Sequence, residues 1–297
     1  MCGIVGLFLK DRSLEPDLGR MLTDMLITMT DRGPDSAGIA VYGEDSGAGK
    51  LTVQSAFADR DFASLEGDLG QAIGAKVSLS RKDSHAILTL PAEKVATARE
   101  ALTTLRPDVR VMSAGDSIEI YKETGLPKDV AARFGVSKMS GRHGIGHTRM
   151  ATESAVTTMG AHPFSTGLDQ CLVHNGSLSN HNSLRRDLIR EGVKFETQND
   201  TEVAAAWLSH QLAQGVELGD ALRAGLDVLD GFYTFVVGTK DGFGVVRDPI
   251  ACKPAVMAET DQYVAFGSEY RALVNLPGIE TARVWEPEPA TVYFWKH

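Results

Sequence analysis

The chain has 297 residues, 43% hydrophobic and 23% charged, with a formal net charge of -9. That length buries a substantial core, and the acidic balance excludes nucleic acid as an expected partner, because a phosphate backbone recruits basic surfaces. No apolar stretch reaches the roughly 18 residues of a membrane span, and three scattered cysteines without a CxxC pair predict neither a disulfide framework nor a zinc cluster, in keeping with a reducing cytoplasm.

"CGIVGLFL" at the start predicts a buried strand. Leu18, Met21, Leu22, Met25, Leu26 and Met29 then recur at helical spacing, which reads as the packing face of a helix rather than a cofactor box. "RGPDSAGIAVYG" is a turn followed by a second strand. Residues 51–115 differ in texture. Their pattern is strand-helix-strand-strand-helix-strand, the order of a small ferredoxin-like sandwich, and they carry no site motif. This stretch is expected to be an inserted α+β subdomain used for packing or docking.

From Ser117 onward, "SIEIYKETG" reads as strand and turn, and "PKDVAARFG" as a short helix opened by Pro and closed by Gly. "HGIGHTRMAT", "QCLVHNGSLSN", "FYTFVVGT", "GFGVVRD", "PAVMAE", "YVAFGS" and "ATVYFW" read as strands. "NSLRRDLIREG", "DTEVAAAWLSHQLAQG" and "GDALRAGLDVLDG" read as helices. Strands come in groups without strict alternation, so packed sheets with outer helices are expected instead of a doubly wound parallel sheet.

Cys2 follows an initiator Met and is itself small, so removal of Met1 would leave a thiol and an α-amine on one residue. A free α-amine ordinarily titrates near about 7.7–8.0 and a free cysteine thiol near about 8.5. The unprotonated amine can therefore take the thiol proton and later return it to a leaving group. Taken alone, "MCG" reads as a buried strand cysteine. Other motifs weaken that reading: Arg32 in the "RGPDSAG" turn, Arg149 in "GHTRMAT", Asn175-Gly176 in "VHNGSLSN", and Asp200, placed at a helix N-cap by "NDTEV".

In this order the motifs resemble the glutaminase domain of class II glutamine amidotransferases, which are N-terminal nucleophile hydrolases. The resemblance spans about residues 2–43 and 117–285 and includes "DPIACKP" and the "AFGSE" strand end. It implies a four-layer αββα sandwich over residues 2–297, interrupted by the 51–115 insertion. It also implies L-glutamine as substrate, with Cys2 attacking the γ-carboxamide. Asn175 and Gly176 would then hold the oxyanion, and Arg149 and Thr152 the α-carboxylate. Asp200 would hold the α-ammonium, and Arg32 would order the loop beside the nucleophile. Met150 and Glu153-Ser154 depart from the aromatic and His-Gly residues of some branches.

No isomerase, phosphoribosyl or nucleotide-binding sequence follows the amidotransferase stretch in these residues. That predicts a glutaminase subunit of a multi-subunit synthase, similar to glutamate synthase or N-methylglutamate synthase. FMN and any Fe–S centre are expected on the partner, since this chain has no cluster-type cysteine run. The alternative is a docking or regulatory subunit with a vestigial glutaminase site, and the intact motif residues weigh against it. An N-terminal-nucleophile amidase for another amide is disfavoured by the Arg149/Asp200 pair. No metal site is expected: the His143/His147 spacing, in a strand, is not read as bringing both rings to one face. His174 is read as structural, and Cys171 and Cys252 as buried and inert.

Overall fold

The computed structural model describes residues 2–45, 47–151 and 155–297. In chain order the first half contains β1 (Gly3–Leu9), α1 (Leu18–Thr28), β2 (Ser36–Tyr42), β3 (Ala48–Gln54), α2 (Ala58–Asp61), α3 (Leu65–Ile73), β4 (Ser78–Lys82), β5 (His85–Pro91), α4 (Val95–Leu105), β6 (Arg110–Gly115), β7 (Ile118–Thr124), α5 (Pro127–Phe134) and β8 (His143–Arg149). The second half contains β9 (Gln170–Leu178), α6 (His181–Arg190), α7 (Asp200–Ala213), α8 (Leu218–Val228), β10 (Gly231–Thr239), β11 (Gly242–Arg247), β12 (Val256–Glu259), β13 (Tyr263–Gly267), β14 (Arg283–Trp285) and β15 (Val292–Lys296).

These strands form three sheets with antiparallel pairing: β14-β12-β13-β1-β8-β2-β7, β15-β11-β10-β9 and β4-β5-β3-β6. β1 lies inside the seven-stranded sheet, and all seven of its residues are buried. Alternation decides what each residue meets. Val5, Leu7 and Leu9 join Met21, Leu22, Met25 and Leu26 of α1 in one cluster. Ile4 and Phe8 face the other way and join Val173, Val236, Phe243 and Val245 of the four-stranded β15-β11-β10-β9 sheet. The far side of that sheet carries Leu172, Phe235 and Val237 against Val203–Leu208 of α7 and Leu222 of α8. A continuous apolar run in β1 therefore reflects burial on both faces, each buried aliphatic contributing about 1.5–3 kcal/mol.

The third sheet packs α3 and α4 against Leu51, Val53, Ala86, Leu88 and Leu90, a cluster of its own. Its first strand begins at Ala48, three residues before the stretch expected from texture. The first helix of that pattern is split in two, because Ser64 adopts a left-handed conformation between α2 and α3. Asp169 ties this unit to the rest of the chain. Its carboxylate accepts from the N–H groups of Asp116, Ser117 and Ile118 at 2.8, 2.9 and 3.0 Å and from the Ser117 hydroxyl at 3.0 Å. β14, only three residues long, gave no periodic signal.

Candidate active site

β1 starts one residue after Cys2, so the pairing of β1 places that cysteine. Gly3 stands opposite Thr148 of β8. A Cβ at Gly3 would lie 2.7 Å from Thr148 Oγ1 and 2.8 Å from Met29 Cβ, so only glycine fits behind the cysteine. The first strand residues are also pinned from β13: Ile4 N–H donates to Ser268 Oγ at 2.9 Å, and Ser268 N–H donates to the Ile4 carbonyl at 2.9 Å. Cys2 itself is half-buried.

Two side chains converge on the Cys2 carbonyl oxygen. Arg32 Nε donates to it at 2.9 Å and Asn175 Nδ2 at 3.3 Å. Arg32 sits in the turn Thr30–Arg32 after α1 and is buried. Its Nη1 donates to Glu269 Oε1 at 2.7 Å, while the other Glu269 oxygen accepts from Arg271 Nε at 2.7 Å. The Arg32 hydrogen bond, with the charges of Arg271 and Arg32, holds the Glu269 carboxyl below its ordinary value against the opposing effect of burial. The sequence motif contained Glu269 but gave it no role. Its part in fixing Arg32 emerges only from the contact.

Asn175 and Gly176 lie on β9, opposite Thr234 and Tyr233 of β10. Asn175 has the parity of Cys171 and Val173, so it points toward the seven-stranded sheet and Cys2. Gly176 has φ +147, and a Cβ there would lie 1.9 Å from the Phe232 carbonyl oxygen. No side chain fits at that approach. His147 Nε2–H donates to the His174 carbonyl at 3.1 Å, holding the backbone just before the Asn-Gly pair.

Asp200 is the first residue of α7. The N-cap is Asn199, whose side chain accepts from Thr201 N–H at 2.8 Å, which corrects the expectation that Asp200 caps the helix. Freed from capping, Asp200 turns toward β9, where its Oδ2 accepts from Leu178 N–H at 2.9 Å. Burial pushes its carboxyl upward. His174, whose Nδ1 lies 3.7 Å from Asp200 Oδ1, and the Leu178 N–H outweigh that and hold it at about 2.

Thr201 Oγ1 joins His174 Nδ1 at 3.1 Å and His162 Nε2 at 2.8 Å, and His162 stacks on His147 with centroids 4.1 Å apart. Burial lowers His147 to about 3 and His162 well below the usual histidine value, so both are neutral rings near pH 7. The sequence reads His174 as structural and singles out neither His162 nor Thr201, since a single polar residue carries no periodic signal.

Arg149 ends β8 opposite Ser36, is buried, and directs Nη1 toward the Ala155 carbonyl at 3.4 Å. Asp35 shapes the chain beyond it: Asp35 N–H donates to the Arg149 carbonyl at 3.1 Å, and the Asp35 carboxylate accepts from Ala151 N–H at 2.8 Å. Thr152 lies outside the described residues. Cys2, Arg32 and Asn175 are thus in direct contact, with Gly176 next in chain. Asp200 reaches the group through β9, and Arg149 through the Gly3–Thr148 strand pair.

Among the described residues no group of three or more His, Cys, Asp or Glu side chains could hold a metal ion. His143 and His147 do share a face, contrary to the sequence expectation, because residues i and i+4 of a strand have equal parity. The strand rise still separates them by roughly 13 Å. His143 instead stacks on Tyr42 at 4.1 Å. Cys171 is buried, with burial pushing its thiol up to about 12, whereas Cys252 is exposed, which corrects the expectation that both are buried. Among the described residues no helix is long and apolar enough to cross a membrane.

Residues 147–275 match the family described as a glutamine amidotransferase domain, a stretch that includes Arg149, Asn175, Gly176, Asp200 and Glu269. Over 298 aligned residues the chain is 72% identical to the glutamine amidotransferase-like protein GlxB of Rhizobium meliloti (strain 1021), covering 100% of this chain and 99% of that protein. The chain is a class II glutamine amidotransferase. This amidotransferase is also 32% identical over 167 residues to the amidophosphoribosyltransferase of Methanocaldococcus jannaschii, a match covering 55% of the chain and 36% of that enzyme. Its fold is shared with the glutamine phosphoribosylpyrophosphate amidotransferase of B. subtilis complexed with ADP and GMP, at TM-score 0.62 and 20% identity. That alignment covers 99% of the amidotransferase but 47% of the solved chain, about half its length.

Proposed function

We propose that this chain hydrolyses L-glutamine to glutamate and ammonia through a thioester on Cys2 and passes the nitrogen to a separate synthase subunit. The observation that carries the reading is the convergence of Arg32 and Asn175 on the Cys2 carbonyl. It supports the reading because a side-chain amide and a guanidinium both hold the backbone of the residue that bears the thiol.

Once Met1 is removed, the α-amine of Cys2 takes the thiol proton and Sγ attacks the γ-carboxamide carbon. The oxyanion accepts from Asn175 Nδ2 and from the Gly176 N–H, donors whose removal typically costs about 3–4 kcal/mol of barrier. The C–N bond breaks as the α-ammonium returns its proton, and ammonia leaves. Water then attacks the thioester, releasing glutamate and the thiol. Arg149 offers a planar fork to the substrate α-carboxylate, Thr152 adds a hydroxyl donor for the same group, and Asp200 offers a carboxylate to the α-ammonium. A side chain held ionised down to about pH 2 suits that task.

The reading includes a four-layer αββα sandwich with an inserted ferredoxin-like subdomain. It also includes a cytoplasmic complex similar to glutamate synthase or N-methylglutamate synthase, with FMN and any Fe–S centre on the partner. An electrophilic glutamine analogue, 6-diazo-5-oxo-L-norleucine, tests the core of it. Intact mass is expected to show Met1 absent and one adduct, on Cys2. Labelling that persists in Cys2→Ala, or none at all with the partner subunits present, would reject the glutaminase.

A further inference from the structure

A cavity of about 690 Å³ opens between the inserted unit and the body of the chain. α4 and β6 form one wall; α7, residues 159–168 and residues 193–197 form the other. Its volume falls in the range of small-molecule sites, about 300–1,000 Å³. It lies apart from Cys2, Arg32, Asn175 and Gly176, none of which lines it. Three hydrophobic clusters meet there without filling the space: Val95 belongs to one, Met112 to a second, and Phe164 with Ala206 to a third.

Several polar groups of the lining are already engaged. Glu202 accepts from the N–H groups of Glu196 and Thr197 and from the Thr197 hydroxyl, at 2.7, 2.8 and 2.6 Å. Lys122 donates to the carbonyls of Ala161, Pro163 and Met159, at 2.8, 3.3 and 3.4 Å, and lies 4.5 Å from the Phe164 ring centre. Four charged side chains remain. α4 presents Arg99 and Glu100, and the facing segment presents Lys194 and Glu196. Among the described residues none of the four makes an ion pair or a side-chain hydrogen bond. Each wall thus offers one cation and one carboxylate around an apolar floor.

We propose that this cleft binds a small zwitterion with an apolar body, an amino acid other than the substrate, and that its occupancy tunes the glutamine site. Arg99 and Lys194 supply donors for a carboxylate, Glu100 and Glu196 acceptors for an ammonium, and Met112, Phe164 and Ala206 receive the side chain. The tuning rests on the glutaminase reading above; the binding does not. α7 carries both sites, with Asp200 and Thr201 in its first turn and Glu202, Ala206 and Ser209 lining the cleft. Lys122 adds a second link. It grips the carbonyls on either side of His162, whose ring meets Thr201 at 2.8 Å.

Calorimetric titration of the full chain, with Cys2 first blocked by 6-diazo-5-oxo-L-norleucine, tests the binding. If the block fails, Cys2→Ala takes its place and the failure counts against the glutaminase alone. The probes are L-leucine, L-methionine and L-phenylalanine, with 3-methylbutylamine and 4-methylpentanoate as the leucine analogues lacking one charge. At least one amino acid is expected to bind with one-to-one stoichiometry, and both analogues at least tenfold more weakly. Arg99→Gln with Lys194→Gln, and separately Ala96→Trp at the exposed mouth of the cleft, are expected to abolish binding while leaving the circular dichroism spectrum unchanged. The bound amino acid is expected to shift KM for glutamine on the order of fivefold in the unblocked enzyme. No binding by any of the three at 10 mM, equal binding of an analogue, or undiminished binding in both variants would overturn the proposed site. A KM unmoved at saturation would overturn the tuning.

Discussion

Asn175 Nδ2 lies 3.3 Å from the Cys2 carbonyl oxygen, across 173 residues of sequence and from one sheet to the other. In the proposed mechanism the same amide donates to the tetrahedral oxyanion formed at the thiol. Asn175→Ala is therefore expected to lower kcat for glutamine hydrolysis by about 10²–10³-fold with little change in KM. Steady-state assay of glutamate release checks it. A change confined to KM would show that Asn175 holds ground-state substrate instead.

Glu269 acts on Cys2 at one remove, through Arg32. Removing it leaves a buried guanidinium without its carboxylate and lets the Cys2 backbone shift. Glu269→Ala is expected to reduce kcat roughly 10–100-fold, the scale of a small misplacement of a reacting group. Glu269→Gln, which keeps an oxygen for Arg32, should recover most of that loss. Equal damage from both would indicate that charge matters more than the hydrogen bond.

Gly176 admits no methyl group, because its φ is +147 and the Phe232 carbonyl occupies the place of a Cβ. Gly176→Ala is expected to destabilise the fold by on the order of 1–3 kcal/mol, with loss of activity exceeding what residual folding explains. Chemical denaturation and a folded-fraction-corrected kcat separate the two effects.

Asp200 predicts a pH signature. Its carboxyl titrates at about 2 in the folded chain and near about 3.9 when unfolded. A folded value below the unfolded one means the contribution is complete above about pH 4 and disappears as pH falls toward 2. It amounts to about 2 kcal/mol. Urea unfolding of the wild type and Asp200→Asn across that window should show a steeper loss in the wild type. Parallel curves would contradict the assignment.

Asp169 clasps the hairpin between β6 and β7 with four hydrogen bonds. Asp169→Ala is expected to cost about 3 kcal/mol and to expose the unit built on the β4-β5-β3-β6 sheet to proteolysis, while kcat in the folded protein stays near wild type. Limited proteolysis with mapped cut sites reads this directly; protection equal to wild type would show that other contacts hold the unit.

Much of the architecture was legible because its signals are periodic. The α1 stripe of Leu and Met, the apolar run of β1 and the Pro-start, Gly-stop of α5 each repeat a local rule. Boundaries slipped where tertiary contacts override local preference. Asn199 rather than Asp200 caps α7, and Ser64 breaks the expected helix. The exposure of Cys252 and the brevity of β14 left no trace in composition.

The sequence by itself determined which chemistry-bearing residues exist and in what order, because motif residues such as Cys2, Arg149, Asn175-Gly176 and Asp200 are marked by their immediate neighbours. Only the tertiary structure decided what holds them. The Arg32–Glu269 pair, the His147 bond to the His174 carbonyl and the Thr201 junction join residues far apart in the chain. Such contacts follow from strand register and sheet packing, which are settled by long-range burial and not by any local pattern.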